Sequence, residues 1–141
     1  VTIFVPVFAE GERRLWAVVR AHMGDIGGAT HGAYNPEARE IWQEGLRLPP
    51  MKLAEAGRMR EDVIDMILMN VRFPREFRGD LSAMIGAARL GQRSLDRLYA
   101  EYRPETVSSA IESFLDTAEA RSRAIVENLA RWHLRRHRLS R

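Results

Sequence analysis

The stretch Arg20-Ala21-His22-Met23-Gly24-Asp25-Ile26-Gly27-Gly28 sets an imidazole and a carboxylate three residues apart at the mouth of a glycine-rich loop. At that spacing an imidazole nitrogen and a carboxylate oxygen can meet one divalent ion where a chain turns off a strand, and glycines let backbone or substrate come close. The same residues have a plainer reading, a satisfied histidine at a strand end with Asp25 folded into an Asx-turn toward Gly27-Gly28. His31 could complete a three-ligand set with His22 and Asp25. It is read instead as a solvated loop residue, because a mobile glycine loop seldom fixes a ligand unaided. Glu44, in Gln43-Glu44-Gly45-Leu46-Arg47, has the chemistry of a general base, of a carboxylate behind a metal ligand, or of an ion-pair partner for Arg47, the last being the commonest outcome.

Other chemistries are disfavoured by what the sequence contains. His133 and His137 stand four apart, but no carboxylate lies between them as HExxH requires, and Arg131, Arg135, Arg136, Arg138 and Arg141 surround them with positive charge. The absence of cysteine excludes disulfides, thiolate catalysis and sulfur-ligated zinc, so any ion must use nitrogen and oxygen ligands, and it is compatible with a reducing cytoplasm. There is no P-loop, GxGxxG or GxSxG, so no ATP site is expected within this chain. No apolar run approaches the length of a membrane span, and the first residues do not form a secretion signal.

At 141 residues, with 45% hydrophobic and 29% charged residues, the chain has the composition of one ordinary globular domain. Its net charge of +3 is uneven: residues 121–141 hold seven arginines against Glu127, which leaves the remainder acidic. Lys52 is the only lysine beside 21 arginines, a bias better explained by base composition than by a phosphate-binding surface, so nucleic acid is not expected as a partner.

The elements that must position these residues are legible from periodicity. Thr2 to Phe8, the turn residues Glu10-Gly11-Glu12, and Leu15 to His22 predict a β-hairpin, with Pro6 marking an edge or an irregular pairing and the second strand the more buried. Residues 24–36 predict a shaped glycine loop. A short helix is expected over Pro36 to Gly45 with Asn35 as its cap, followed by an extended segment at Pro49-Pro50. The period then changes to about 3.6. Val63, Ile64, Ile67, Leu68 and Val71 form one helix face that ends before Pro74. A second stripe runs from Leu81 to Tyr102 after Asp80 as cap, and a third from Val107 to Leu129 beginning near Thr106. The fold class is therefore α+β: an N-terminal β-hairpin and Gly-rich loop followed by three main α-helices.

Five blocks carry a resemblance: PVF (Pro6 to Phe8), RAHMGDIGG (Arg20 to Gly28), EIWQEGLRLPP (Glu40 to Pro50), NVRFP (Asn70 to Pro74) and GDLSA (Gly79 to Ala83). In order and spacing the chain resembles the hydantoinase B/oxoprolinase family over residues 1–128, while the Arg-rich tail 129–141 does not look like that family's continuation. The chain begins at Val1, inside a strand, and family members are several times longer. It is expected to be an internal fragment of a larger domain. The family usually reads Arg-Ala-His-His-x-Asp before its Gly-Gly pair; His22 and Asp25 match, and Met23 departs.

What the resemblance implies is a B-type subunit of an ATP-dependent enzyme that hydrolyses a cyclic amide, a lactam or imide ring. A separate A-type subunit or domain would bind ATP and activate the carbonyl, making a hetero-oligomer in the cytoplasm. His22 and Asp25 are then the implied ligands of a divalent metal (Mn, Fe or Zn). Gly27, Gly28, Glu44, Arg47, Asn70 and Arg72 are the implied substrate-binding residues. Two alternatives stand beside this: a catalytically inactive remnant or binding module with a basic tail, and a subunit of the acetone/acetophenone carboxylase type.

Overall fold

The structure is a computed structural model that describes residues 1–32 and 34–139, with side chains described as far as residue 129. It divides into two compact units, Val1–Ser94 and Leu95–Arg141. In the first, strands β1 (Thr2–Ala9) and β2 (Glu12–Arg20) pair antiparallel across Glu10-Gly11. Both turn residues have positive φ, 53° and 78°, the left-handed pair whose twist suits a two-residue hairpin. The register sets Ile3 opposite Val19, Val5 opposite Ala17 and Val7 opposite Leu15, and slips between Val7 and Phe8, leaving Arg14 as the extra residue of a bulge. Pro6 lies opposite Trp16 in a strand with no second neighbour among the described residues, which suits its missing N–H, and its carbonyl accepts a 2.8 Å hydrogen bond from Gln92 Nε2.

Burial within the hairpin differs from expectation. Ile3, Val7 and Ala9 of β1 are buried, against Ala17 alone in β2. β1 carries no charged residue, whereas β2 includes Arg13, Arg14 and Arg20, long cations that keep their heads in water.

The expected helix over 36–45 does not form. Asn35 Oδ1 accepts from the Glu37 N–H at 3.1 Å and makes a turn, and the only helical residues there are a 3₁₀ turn at Ile41–Gln43. The reason is local: the Gln43 side-chain carbonyl takes the backbone N–H groups of Arg39, at 2.7 Å, and Glu40, at 3.2 Å, offering the backbone partners outside a helical ladder. A small hairpin that the sequence reading missed follows, β3 (Ala54–Glu55) with β4 (Arg58–Met59).

Helices α1 (Glu61–Leu68), α2 (Pro74–Glu101) and α3 (Pro104–Leu139) complete the chain. Pro74 and Pro104 begin helices instead of only ending the preceding ones, so Asp80 lies inside α2 and is not its cap. A proline at the first helical position loses nothing, because the N–H it lacks would have had no partner. Ile3, Met23, Ile64, Ile67, Phe77, Leu81, Met84 and Ala88 form the core of the first unit, where the predicted faces of α1 and α2 meet the inner face of the hairpin. In the second unit α3 buries Val107 near its start, and Phe114, Leu115, Ile125, Val126 and Leu129 are exposed. His133, His137 and the arginines of the tail lie outside the residues whose side chains are described. Among the described residues no helix is long and apolar enough to cross a membrane.

Candidate functional site

Three segments distant in sequence converge where β2 runs into the glycine loop: residues 25–29, residues 43–46, and the turn 70–72 between α1 and α2. Backbone bonds join the first two, Leu46 N donating to Ile26 O at 2.7 Å and Ala29 N to Gln43 O at 2.9 Å. Gly27 and Gly28 have φ of 78° and 83°. A Cβ on Gly27 would stand 2.6 Å from Asn70 O, and one on Gly28 would stand 2.6 Å from Gln43 O. The room these glycines make is therefore taken by the protein's own backbone. Gly45 does the same from the opposite side, its Cα hydrogen facing Ile26 O where a Cβ would come within 2.7 Å.

Asp25 is the buried anchor of this knot. Gly27 N donates to its Oδ1 at 3.1 Å, the Asx-turn of the plainer reading. Its other partner is Arg72, whose backbone N–H donates to Oδ2 and whose Nη1 donates to Oδ1 at 2.9 Å, while Nη2 donates to the Gly28 carbonyl. One arginine thus fastens both the carboxylate and the backbone of the loop. Burial alone would push the Asp25 carboxyl up; the N–H donors of Arg72 and Gly27 and the adjacent guanidinium outweigh it and hold the group below the usual carboxylate range. No buried side-chain nitrogen or oxygen among the described residues lacks a partner.

The other residues singled out in the sequence are distributed around this clasp. His22 is exposed and its Nε2 lies 3.0 Å from Gly32 O. A carbonyl only accepts, so Nε2 donates, and in the neutral ring this places the lone pair on Nδ1. Gly32 N in turn donates to Gly24 O at 2.8 Å, closing the loop on itself. Met23 is buried in the core between exposed His22 and buried Asp25, so the departure from the family pattern falls on an inward position. His31 is exposed, as expected of a solvated loop residue. Glu44 is exposed and forms no ion pair with Arg47 among the described residues. Arg47 stacks instead over the Trp42 ring at 5.1 Å. Asn70 acts through its backbone against Gly27, and its side chain donates to Met66 O at 2.7 Å, closing the end of α1.

For a divalent ion the test is the donor set. Asp25 already carries the positive charge of Arg72 at 2.9 Å, and His22 stands exposed while Asp25 is buried. Among the described residues no group of three histidine, aspartate or glutamate side chains comes together to hold an ion. The described residues therefore do not make up a metal centre by themselves, although the Nδ1 lone pair of His22 has ligand chemistry.

Sequence reasoning had no way to pair Arg72 with Asp25, 47 residues earlier. Gly45, set between Glu44 and Leu46, was a local signal that could have marked the close approach.

Comparison with known proteins gives a consistent picture. The model of the Hydantoinase B/oxoprolinase family matches residues 1–139, extending past residue 128 into the Arg-rich tail that was expected to lie outside it. The beta subunit of the caprolactamase of Pseudomonas jessenii is 41% identical over 127 residues, covering 90% of this chain and 22% of that protein. A protein described as a D-/L-hydantoinase subunit in a Pseudomonas species is 31% identical over 126 residues, 89% of this chain and 21% of its own length. The crystal structure of the ATP-dependent caprolactamase from Pseudomonas jessenii superposes with a TM-score of 0.80 at 42% identity, over 88% of this chain and 21% of that one. The chain spans about a fifth of the length of these relatives.

Proposed function

The chain belongs to the hydantoinase B/oxoprolinase family, and from that premise we propose that it is part of the B-type subunit of an ATP-dependent enzyme that opens a cyclic amide. The supporting observation is the agreement of its backbone with the ATP-dependent caprolactamase at 42% identity. In this reading an A-type partner transfers the γ-phosphoryl group of ATP to the ring carbonyl oxygen. Water then adds to the carbonyl carbon, the ring C–N bond breaks with protonation of the nitrogen to leave an acyl phosphate, and a second water displaces phosphate from that acyl group, so that lactam, ATP and two waters become an amino acid, ADP and phosphate. An ATP requirement and a chain without cysteine suit a cytoplasmic enzyme.

The contribution of the described residues is positional. The Asp25–Arg72 clasp fixes the path of residues 24–32 and with it the exposed edge that carries His22, whose Nδ1 can accept a proton or serve as one ligand of an ion completed by residues elsewhere in the enzyme. Gly27 and Gly28 serve this by letting backbones pack, and Arg72 serves it by holding the loop.

The test is a chimera in which this chain replaces the aligned 127 residues of the caprolactamase beta subunit. The expected result is caprolactam-dependent release of ADP with stoichiometric 6-aminohexanoate, reduced at least about tenfold by Arg72→Ala, the loss anticipated for about 1.4 kcal/mol of misplacement. A chimera that melts like its parent and opens no lactam, imide or 5-oxoproline ring overturns the proposal.

A further inference from the structure

The hairpin is apolar on both faces. Ile3, Val5 and Val7 with Val19, Ala17 and Leu15 form the inner one, part of which lies in the core. On the other side the register brings Phe4 opposite Val18 and Pro6 opposite Trp16, with Phe8 following. Phe4, Phe8, Trp16 and Val18 are 60%, 55%, 46% and 50% exposed. They form one patch: the Phe4 and Trp16 rings meet edge to face, with centroids 6.1 Å apart. A strand pair open to water on one side normally alternates apolar with polar residues, and one apolar on both sides belongs to a sheet covered twice. An uncovered aromatic patch of this kind marks an interface.

The ends of the patch define what covers it. The register sets Arg20 at one end opposite Thr2, and Arg13 at the other opposite Phe8, its guanidinium 4.9 Å above the Trp16 ring. Neither arginine is in an ion pair among the described residues. The complementary surface is therefore apolar at its centre with a carboxylate at each end. The caprolactamase is about four times as long as this chain, and the superposition spans 88% of this chain and 21% of that one, so there is ample protein in such an enzyme to supply that layer.

We infer that the outer face of the β1–β2 hairpin is an internal docking surface for an acidic-rimmed apolar layer contributed by the part of the family domain beyond the matched fifth. This depends on family membership and not on the reaction proposed above, and it is read out by accessibility, so the two can fail separately.

The chain has no cysteine, so Val18→Cys and Phe4→Cys each create a single thiol. In the isolated chain these thiols label rapidly with a maleimide. In the chimera with the rest of the caprolactamase beta subunit, the same thiols label at least about a hundredfold more slowly, as expected for a position opened only by local unfolding. Reversing Arg13 and Arg20 to glutamate shortens that protection in the chimera and leaves the labelling of the isolated chain unchanged. Rapid labelling in a chimera that melts like its parent overturns the inference. If the chimera does not fold, cysteines at the aligned positions of the natural caprolactamase make the same measurement, and rapid labelling there overturns it equally. A concentration-dependent dimer of the isolated chain that Val18→Glu dissociates also overturns it, because the occupant is then a second copy.

Discussion

Replacing Asp25 by asparagine should damage the first unit more than removing the Arg72 side chain, and the difference follows from which hydrogen bonds each change can reorganise. Asp25 accepts from three donors, Gly27 N–H, Arg72 N–H and Arg72 Nη1, distributed over both oxygens. In Asp25→Asn one of those oxygens becomes an NH₂ group facing a donor, so a buried N–H is left opposed and the guanidinium loses its counter-charge. Breaking a buried pair from one side costs about 3–5 kcal/mol. Because the Arg72 side chain is 41% exposed and water can solvate it, we set the cost of Asp25→Asn at about 3 kcal/mol, the lower end. Arg72→Met removes the guanidinium but keeps the backbone N–H and the Gly27 donor, so about 1–2 kcal/mol is expected. With the third tryptophan, Trp132 of the second unit, replaced by phenylalanine in every variant, urea unfolding followed by tryptophan fluorescence reports on the first unit through Trp16 and Trp42. The pH dependence supplies a second arm. The folded carboxyl lies below its ordinary value of 3.8, so its stabilisation is fully present above that value and is lost as pH falls through the folded pKa. The wild type should therefore lose stability below about pH 4 more steeply than Asp25→Asn. Equal stability of Asp25→Asn and wild type at neutral pH would refute the clasp, as would Arg72→Met costing more than Asp25→Asn.

Three further outcomes are expected. Gly28→Ala, with φ of 83° and a Gln43 oxygen where the methyl must go, should cost more than about 2 kcal/mol, whereas Gly24→Ala, with nothing within 4 Å, should change the urea midpoint little. Gln92→Ala removes the side-chain donor to the Pro6 carbonyl and should lower stability by about 1 kcal/mol, measured by the same titration. Purified chain incubated with Mn, Fe or Zn and desalted should hold well under one equivalent by elemental analysis; one tightly bound equivalent that His22→Ala abolishes would show that residues outside those described complete a centre.

Much of this protein is readable locally. The alternation of β-branched and aromatic residues around Glu10-Gly11 specifies a hairpin, and the 3.6-residue spacing of Ile64 with Ile67, and of Leu81, Met84 and Ala88, specifies two helix faces, because these depend on neighbours a few residues away. The same is true of the Asx-turn at Asp25. The five blocks identify the family because their residue types answer to a shared backbone. Where local signals competed, reading failed: Gln43 captured N–H groups needed for a helix over 36–45, and two prolines that could end helices instead began them. What the tertiary structure alone decided is which distant groups meet. That Arg72 holds Asp25 and Gly28, that Gly27 yields space to Asn70 rather than to a ligand, and that Met23 turns inward while His22 turns out are matters of long-range packing, in which a side chain's partner is chosen by the fold of the intervening forty or so residues and leaves no periodic trace in the sequence.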